Sequence, residues 1–404
     1  MKKLSLYWRI LIILAAAAAL MALTGLFPKA CDFYTDHIYG YLCDGMSRVT
    51  ALLPFALGEI MMYTGIIMVI LSVIFLLLLI FLRKKQGYRK YCAGYFKTFL
   101  MALVIVVFLY MPTWFVPFRG TLLGRGGNDE HRDYTYQEMR TLLEFITYCE
   151  NAAAEEIEIS EDGKVDFPTA GEYQPRIAEA MRNLSGDFPR LKGYYPPVKK
   201  ALCSDVLDRM NIGGYNYPFT MEPTHNKYLS PLFMPLLDAH ELSHHKGYYK
   251  ENEANFLSEI ALSRSADPFL RLAALNDMYY YVYEDYTNAQ TELLERMIQN
   301  GEVDLSLPIE TKEEFQKFVD FCNQTFGPDP RPSQRVVQIF NAANDIEQQI
   351  YEADSHPIDN IPQADEVISD VADTGWSVQE EVLQDNYYSD VVLLLLEYYD
   401  GKLY

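Results

Sequence analysis

Hydrophobic residues in the first 118 positions fall in unbroken runs, and beyond them they recur at helical spacing. Ile10 to Phe27, Ile60 to Leu82 and Thr98 to Phe118 are runs of 18, 23 and 21 residues without a charged side chain. As a helix each is long enough to cross a hydrocarbon core about 30 Å thick. The first run follows Met1-Lys2-Lys3, as a signal peptide would. It is longer than the usual signal core of about 7–15 residues and has no clean small-residue cleavage site, so it is read as an anchor. In Tyr134 to Glu156 the apolar residues Met139, Leu142, Leu143, Phe145 and Ile146 keep helical spacing and predict a helix. Further helices are predicted over 175–184, after the lead-in Pro196-Pro-Val-Lys-Lys200 through about Met210, and over 250–264, 268–300, 312–326 and 332–353, with helical segments following to the C-terminus. Glu158 to Tyr173 reads as a loop, Arg119 to Asp133 as a polar, glycine-rich exit from the membrane, and Ser355 to Asp365 as an acidic linker. Gly213 to Pro223 sets aromatic and β-forming residues between breakers and predicts a short strand or hairpin. The expected fold class is mainly α: a membrane domain, 1–118, with three transmembrane helices at about 10–27, 60–82 and 98–118, then a mostly helical domain, 119–404, with a small sheet.

Charge gives this scheme an orientation. Lys2, Lys3 and Arg9 precede the first run, and Arg83, Lys84, Lys85, Arg89, Lys90 and Lys97 lie between the second and third. Only Lys29 and Arg48 separate the first from the second. The positive-inside rule puts the N-terminus and residues 83–97 in the cytoplasm. Three spans then deliver 119–404 to the outside, as expected of a multi-pass plasma-membrane protein. Residues 1–118 carry 11 basic and 4 acidic side chains, and residues 119–404 carry 23 and 51, a net of −28 for the outer part. Such acidity argues against nucleic acid as a partner and leaves the lipid bilayer as the one partner the pattern demands. Six scattered cysteines do not make a disulfide scaffold, although Cys31 and Cys43 share the outer loop on an oxidising side, where a pair can form.

The chemistry concentrates in Asp238-Ala-His-Glu-Leu-Ser-His-His-Lys-Gly-Tyr-Tyr-Lys-Glu-Asn-Glu-Ala-Asn255, which contains His-Glu-x-x-His at 240–244. On a helix, residues four apart share a face, so His240 and His244 can hold one ion. Glu241 can reach water on that ion without ligating it, the arrangement of a zinc-dependent hydrolase with a glutamate base. A catalytic zinc takes three protein ligands and keeps one position open. Gly247 is a natural helix stop, and Lys250 onward reads as a second helix. Glu251 in its first turn is the expected third ligand, with Asn255 one turn later placed to hold a zinc-bound histidine. Glu253 competes, but it lies about 160° around the helix from Asn255, so the two cannot serve one site. His225 and His245 are the candidates to close a fourth position. The oxyanion helper stays open among Tyr215, Tyr217, Tyr248, Tyr249 and His225.

These residues resemble the gluzincin pattern, His-Glu-x-x-His followed by Glu-x-x-x-Asp on a later helix, with Asn255 standing for the aspartate. The spacing from His244 to Glu251 is shorter than in the best-known gluzincins. A metzincin would carry a third histidine where Lys250 stands. Together with Leu53-Pro-Phe-Ala-Leu-Gly-Glu59 and Gly214-Tyr-Asn-Tyr-Pro-Phe-Thr-Met-Glu222, the segment from His240 to Leu257 resembles a bacterial family of membrane-anchored zinc-peptidase-like proteins, defined as a domain of unknown function. The resemblance implies a zincin-like extracytoplasmic domain, zinc as cofactor and a peptide or protein substrate near the membrane, without naming that substrate. The contrasting expectation is a sensor or scaffold that zinc orders without turnover. Intramembrane proteolysis is disfavoured, because the motif lies some 120 residues beyond the last apolar run.

Overall fold

A computed structural model describes residues 6–123, 132–302, 311–356 and 389–404, with isolated helical residues at 368–369 and 372. The middle of the expected glycine-rich exit and most of the acidic linker lie outside the described residues. The membrane part comprises α1 (Leu6–Thr24), α2 (Pro28–Tyr34), α3 (Gly40–Thr50), α4 (Leu57–Leu82), α5 (Gln86–Tyr110) and α6 (Val116–Phe118). A π turn at Thr35–Tyr39 joins α2 to α3, and another at Met111–Phe115 carries α5 into α6. Wider turns of this kind accommodate Pro112, which has no N–H to donate.

Among the described residues two helices, Leu57–Leu82 and Gln86–Phe118, are long and apolar enough to cross a membrane, not the three expected. The first run coincides with α1, whose apolar stretch Trp8–Met21 is shorter. The helix ends at Thr24, and Pro28, in the first turn of α2, starts a new one, so the run does not continue to Phe27. Residues 83–97 also differ from the expected loop. The turn is confined to Arg83–Lys85, and Arg89, Lys90 and Lys97 ride on α5, which begins 12 residues before Thr98. The segment between the first two runs is likewise helical.

The chain continues with α7 (Tyr136–Glu155), α8 (Ala170–Asn183), β1 (Lys199–Lys200), α9 (Ser204–Arg209), β2 (Gly214–Tyr217) and β3 (Glu222–His225). After these come α10 (Phe233–His245), α11 (Glu251–Ser263), α12 (Pro268–Gln299), α13 (Lys312–Thr325), α14 (Gln334–Ala353) and α15 (Ser389–Tyr399). Two boundaries depart from the sequence pattern. α8 starts five residues before Pro175, because Glu172 accepts from the Thr169 N–H and closes a capping box. The segment from Pro196 to Lys200 that leads into the expected helix ends in a short strand, and that helix starts at Ser204. The hairpin is present: β2 runs antiparallel to β3 with Gly214 opposite His225, and β1 lies parallel on the far side of β3. Helices α7, α8, α10, α11 and α12 share one core, in which Leu142, Ile146, Ile177, Leu257, Ile260 and Leu272 are fully buried.

The sheet is bolted to the top of α4. Lys199 Nζ, buried, donates to Glu222 Oε1 at 2.5 Å and to the carbonyls of Thr50 and Phe55 at 2.8 and 2.9 Å. The other Glu222 oxygen accepts from the Gly58 N–H at 2.9 Å. Glu59, also buried, accepts from the Leu202 and Cys203 N–H groups at 2.9 and 2.7 Å. Two carboxylates thus satisfy donors at the first turn of α4 and along the segment after β1, groups that would otherwise be unpaired in the interior. Gly58 is required by space, since a Cβ there would collide with the Tyr217 ring and the Thr220 hydroxyl.

Candidate metal centre

The chain reverses between α10 and α11, and this reversal builds the site. Gly247 takes φ +89°, in the left-handed region, and a Cβ there would also press on Thr35 at 2.8 Å. The turn returns Glu251, the first residue of α11, to the face of α10 that carries the histidines. His240 and His244 face each other with ring centroids 4.6 Å apart and planes at 85°. Glu251 Oε2 lies 3.1 Å from His240 Nε2 and 3.6 Å from His244 Nε2. One ligand atom from each of the three residues falls within 4.8 Å of the others. Zinc bonded at about 2.0–2.2 Å in a tetrahedron has ligand–ligand edges of about 3.4 Å, so the two carboxylate–imidazole distances suit that ion.

Hydrogen bonds fix which nitrogen each histidine offers. The His240 Nδ1–H donates to Asn255 Oδ1 at 2.6 Å, and the His244 Nδ1–H donates to the Tyr248 carbonyl at 2.8 Å. A carbonyl oxygen can only accept, so the proton sits on Nδ1 and the Nε2 lone pairs are left for a metal. Asn255 is itself held by Tyr281, whose hydroxyl accepts from its Nδ2 at 3.3 Å. Glu253 is not in the cluster: buried, it accepts from the Leu123 N–H at 2.6 Å.

Glu241 is 2% exposed, and its Oε2 has no hydrogen-bond partner among the described residues. Burial pushes its carboxyl up to about 8, with His244 opposing and the Glu251 and Asp238 carboxylates adding to the rise. Burial would raise Glu251 too, but the facing His244 and His240 hold it well below the usual carboxylate range. Burial lowers His244, yet the Glu251 carboxylate outweighs it and brings the imidazole up to about 9. Two imidazoles that offer Nε2 towards one carboxylate oxygen, beside a second, buried carboxylate, form a donor set suited to a divalent cation.

Neither candidate for a fourth ligand joins the cluster. Buried His225 meets Asp238 Oδ1 through its Nδ1 at 2.6 Å, and Asp238 also accepts from Gln174 at 3.2 Å. His245 lies off the ligand face and is not solvated. It is buried against Cys43, whose sulfur lies 3.2 Å from its Nε2, and burial holds its imidazole well below the usual range. Cys43 is therefore used here, while Cys31 donates weakly to the Thr24 carbonyl; both are free thiols, not a disulfide.

Sequence reasoning missed Tyr39 and the contacts by which Tyr249 joins the site to the N-terminal helices. The Tyr39 hydroxyl, from the π turn between α2 and α3, donates to the His245 carbonyl at 3.1 Å and lies 3.1 Å from the Tyr249 hydroxyl. Tyr249 stacks on His244, with centroids 5.7 Å apart and planes at 9°, and donates to the Thr113 carbonyl at 2.7 Å. These contacts span 136 to 210 residues of chain and have no local sequence signal. A cavity of about 1200 Å³ opens on His240, Glu241, His244, Glu251 and Asn255. Tyr215 and Tyr249 border it, whereas His225, Tyr217 and Tyr248 are not among its lining residues.

No curated protein and no solved structure matches the chain. A family model described as a protein of unknown function, DUF3810, matches residues 34–354, a stretch that includes both candidate spans, the sheet and every residue of the cluster. The chain belongs to the DUF3810 family.

Proposed function

We propose that this protein is a membrane-anchored zinc metallopeptidase that hydrolyses peptide bonds outside the cytoplasm. The observation that carries the reading is the convergence of two Nε2 atoms and one carboxylate oxygen beside the buried Glu241, with His225 and His245 engaged elsewhere. Three protein ligands and an open side are what a catalytic zinc needs, whereas a structural zinc is closed by four. When bound, zinc would lower the pKa of a coordinated water towards ~7 and polarise the scissile carbonyl. Glu241 takes the proton from the attacking water and delivers it to the departing amine. The C–N bond breaks, the acyl carbon gains hydroxyl and the nitrogen gains hydrogen. Asn255 and the Tyr248 carbonyl keep both imidazoles in the ligating tautomer.

Zinc content tests the ligand set. The purified full chain is expected to hold one zinc and to cleave a peptide library only while zinc is present. Glu251→Ala should lose the metal and Glu253→Ala should keep it. Loss of zinc from Glu253→Ala alone would mean that α11 is in a different register.

In this reading α1 is a third span, the N-terminus is cytoplasmic and residues 119–404 are outside. Its 19 residues extend about 28 Å, close to the core thickness, and it packs beside α5. The orientation gains support from the segment after α1. Asp36 pairs with Arg190 at 2.6 Å and the Thr50 carbonyl with Lys199, so residues 28–56 share a side with the outer domain. An alkaline phosphatase fused after residue 130 should be active and one fused at residue 90 inactive; the reverse pattern overturns the topology.

A further inference from the structure

The cavity that reaches the metal cluster is walled by the membrane helices as well as by the outer domain. Met62, Tyr63 and Ile66 of α4 line it, and so do Trp114, Phe115 and Phe118 at the end of the α5–α6 helix. Arg83, Lys84 and Lys85 mark the inner end of α4. A core of about 30 Å takes up about 20 helical residues, so counting back from Leu82 puts the outer hydrocarbon boundary near Tyr63. Ile66 then lies inside that boundary, and it is half exposed, at 51%. Trp114 and Tyr63 are the residue types that settle at the membrane–water interface. The cavity therefore runs from the edge of the hydrocarbon to Glu241 and the two histidines. A site made for water-soluble peptides has no use for such a wall.

The opposite wall is the hairpin. Gly213 to Asn216 line the cavity, and β2 is the terminal strand of its sheet. Its outer backbone groups can pair with an extended peptide, and Gly214 lies so near Glu241 that a Cβ would come within 3.3 Å of its Oε1. An acyl chain could fill the apolar end but would leave the strand edge unused. A peptide leaving a membrane-spanning segment uses both ends.

Building on the zinc-peptidase reading, we infer that the substrate is a membrane-inserted polypeptide cut directly beside its transmembrane segment, with the apolar flank held between α4 and α5 and the extended flank along β2. The cleaved bond lies at the outer surface of the bilayer, and the substrate reaches the site from the lipid.

The test uses the full chain with zinc in phosphatidylethanolamine–phosphatidylglycerol vesicles. One randomised nine-residue segment is presented in four ways. It is free, joined directly to an apolar 20-residue helix, joined to that helix through a flexible linker of about 30 residues, or joined directly to a palmitoyl chain. The linked form equals the direct one in membrane tethering but cannot place the helix in the cavity. Direct helix peptides are expected to be cleaved with kcat/KM roughly tenfold or more above linked ones, as burial of even one large apolar side chain would give. Ile66→Trp, which fills the cavity, should raise KM for them more than it lowers kcat, without a change in thermal midpoint. Equal cleavage of direct, linked and free peptides overturns the inference and leaves the peptidase reading intact. Faster cleavage of the palmitoyl form overturns it in favour of lipid-anchored substrates. Should nothing be cleaved, the peptidase reading fails, and binding decides the inference separately. A diazirine residue at the helix junction, photolysed on Glu241→Gln protein, should label 62–66 and 114–118. Labelling spread along the lipid-facing length of α4, or no labelling, overturns it.

Discussion

Replacing Glu241 by glutamine is expected to abolish peptide cleavage while leaving the protein folded and zinc-loaded. The amide matches the carboxyl in shape and fits the same buried space, and His240, His244 and Glu251 are untouched. Glutamine cannot accept the proton of the attacking water. Removal of a general base costs about 10²–10⁴-fold in rate, and a residue that also orients the nucleophile should reach at least that range. Glu241 has no second task among the described residues, because its Oε2 meets no donor and α10 is held by its own backbone and by Ala239 and Leu242 in the core. Zinc stoichiometry and thermal midpoint should match the wild type. Cleavage retained within a few-fold would remove Glu241 from the mechanism. A wild type that cleaves nothing and binds zinc through four protein ligands would turn the reading towards a sensor.

The largest effect on stability is expected from Glu222→Ala. The substitution strands the buried Lys199 ammonium with two carbonyl acceptors and no counter-charge, and it leaves the Gly58 N–H unpaired. Breaking one side of a buried ion pair costs about 3–5 kcal/mol, most of it the penalty for the charge left behind. Lys199→Met together with Glu222→Met removes both charges and should recover much of the loss, since well-packed apolar replacements of such pairs are often close to neutral. Thermal or denaturant unfolding of the detergent-solubilised chain reads the difference. A single variant within about 1 kcal/mol of wild type, or a double variant no better than the single, would show that the pair is not what holds the sheet to α4. The site should suffer with the clamp, because Glu222 belongs to the hairpin that borders the cavity and Lys199 to the strand beside it.

Both predictions concern residues that the sequence revealed unequally. Glu241 was legible because His-Glu-x-x-His is a local pattern and helical periodicity alone puts residues 240 and 244 on one face. The same periodicity separated Glu251 from Glu253: one turns towards the histidines and the other caps the chain at Leu123. Glu222 and Gly58 stood in recognisable segments, but nothing local explained them. Their reason is a hydrogen bond across 164 residues.

The sequence by itself determined the uncharged runs, most helices beyond residue 118, the hairpin and the cluster of His240, His244 and Glu251 with Glu241 beside it. Each depends on neighbours within a few residues, where spacing, turn residues and apolar periodicity act directly on the backbone. Only the tertiary structure decided that 28–50 folds into helical turns against the site, that the proton on His240 and His244 is fixed by Asn255 and the Tyr248 carbonyl, that Cys43 serves His245 instead of Cys31, and that the cavity is shared with α4 and the end of α5. Those outcomes come from surfaces distant in the chain that must bury their apolar area and pair every enclosed donor together, a condition that no local pattern contains.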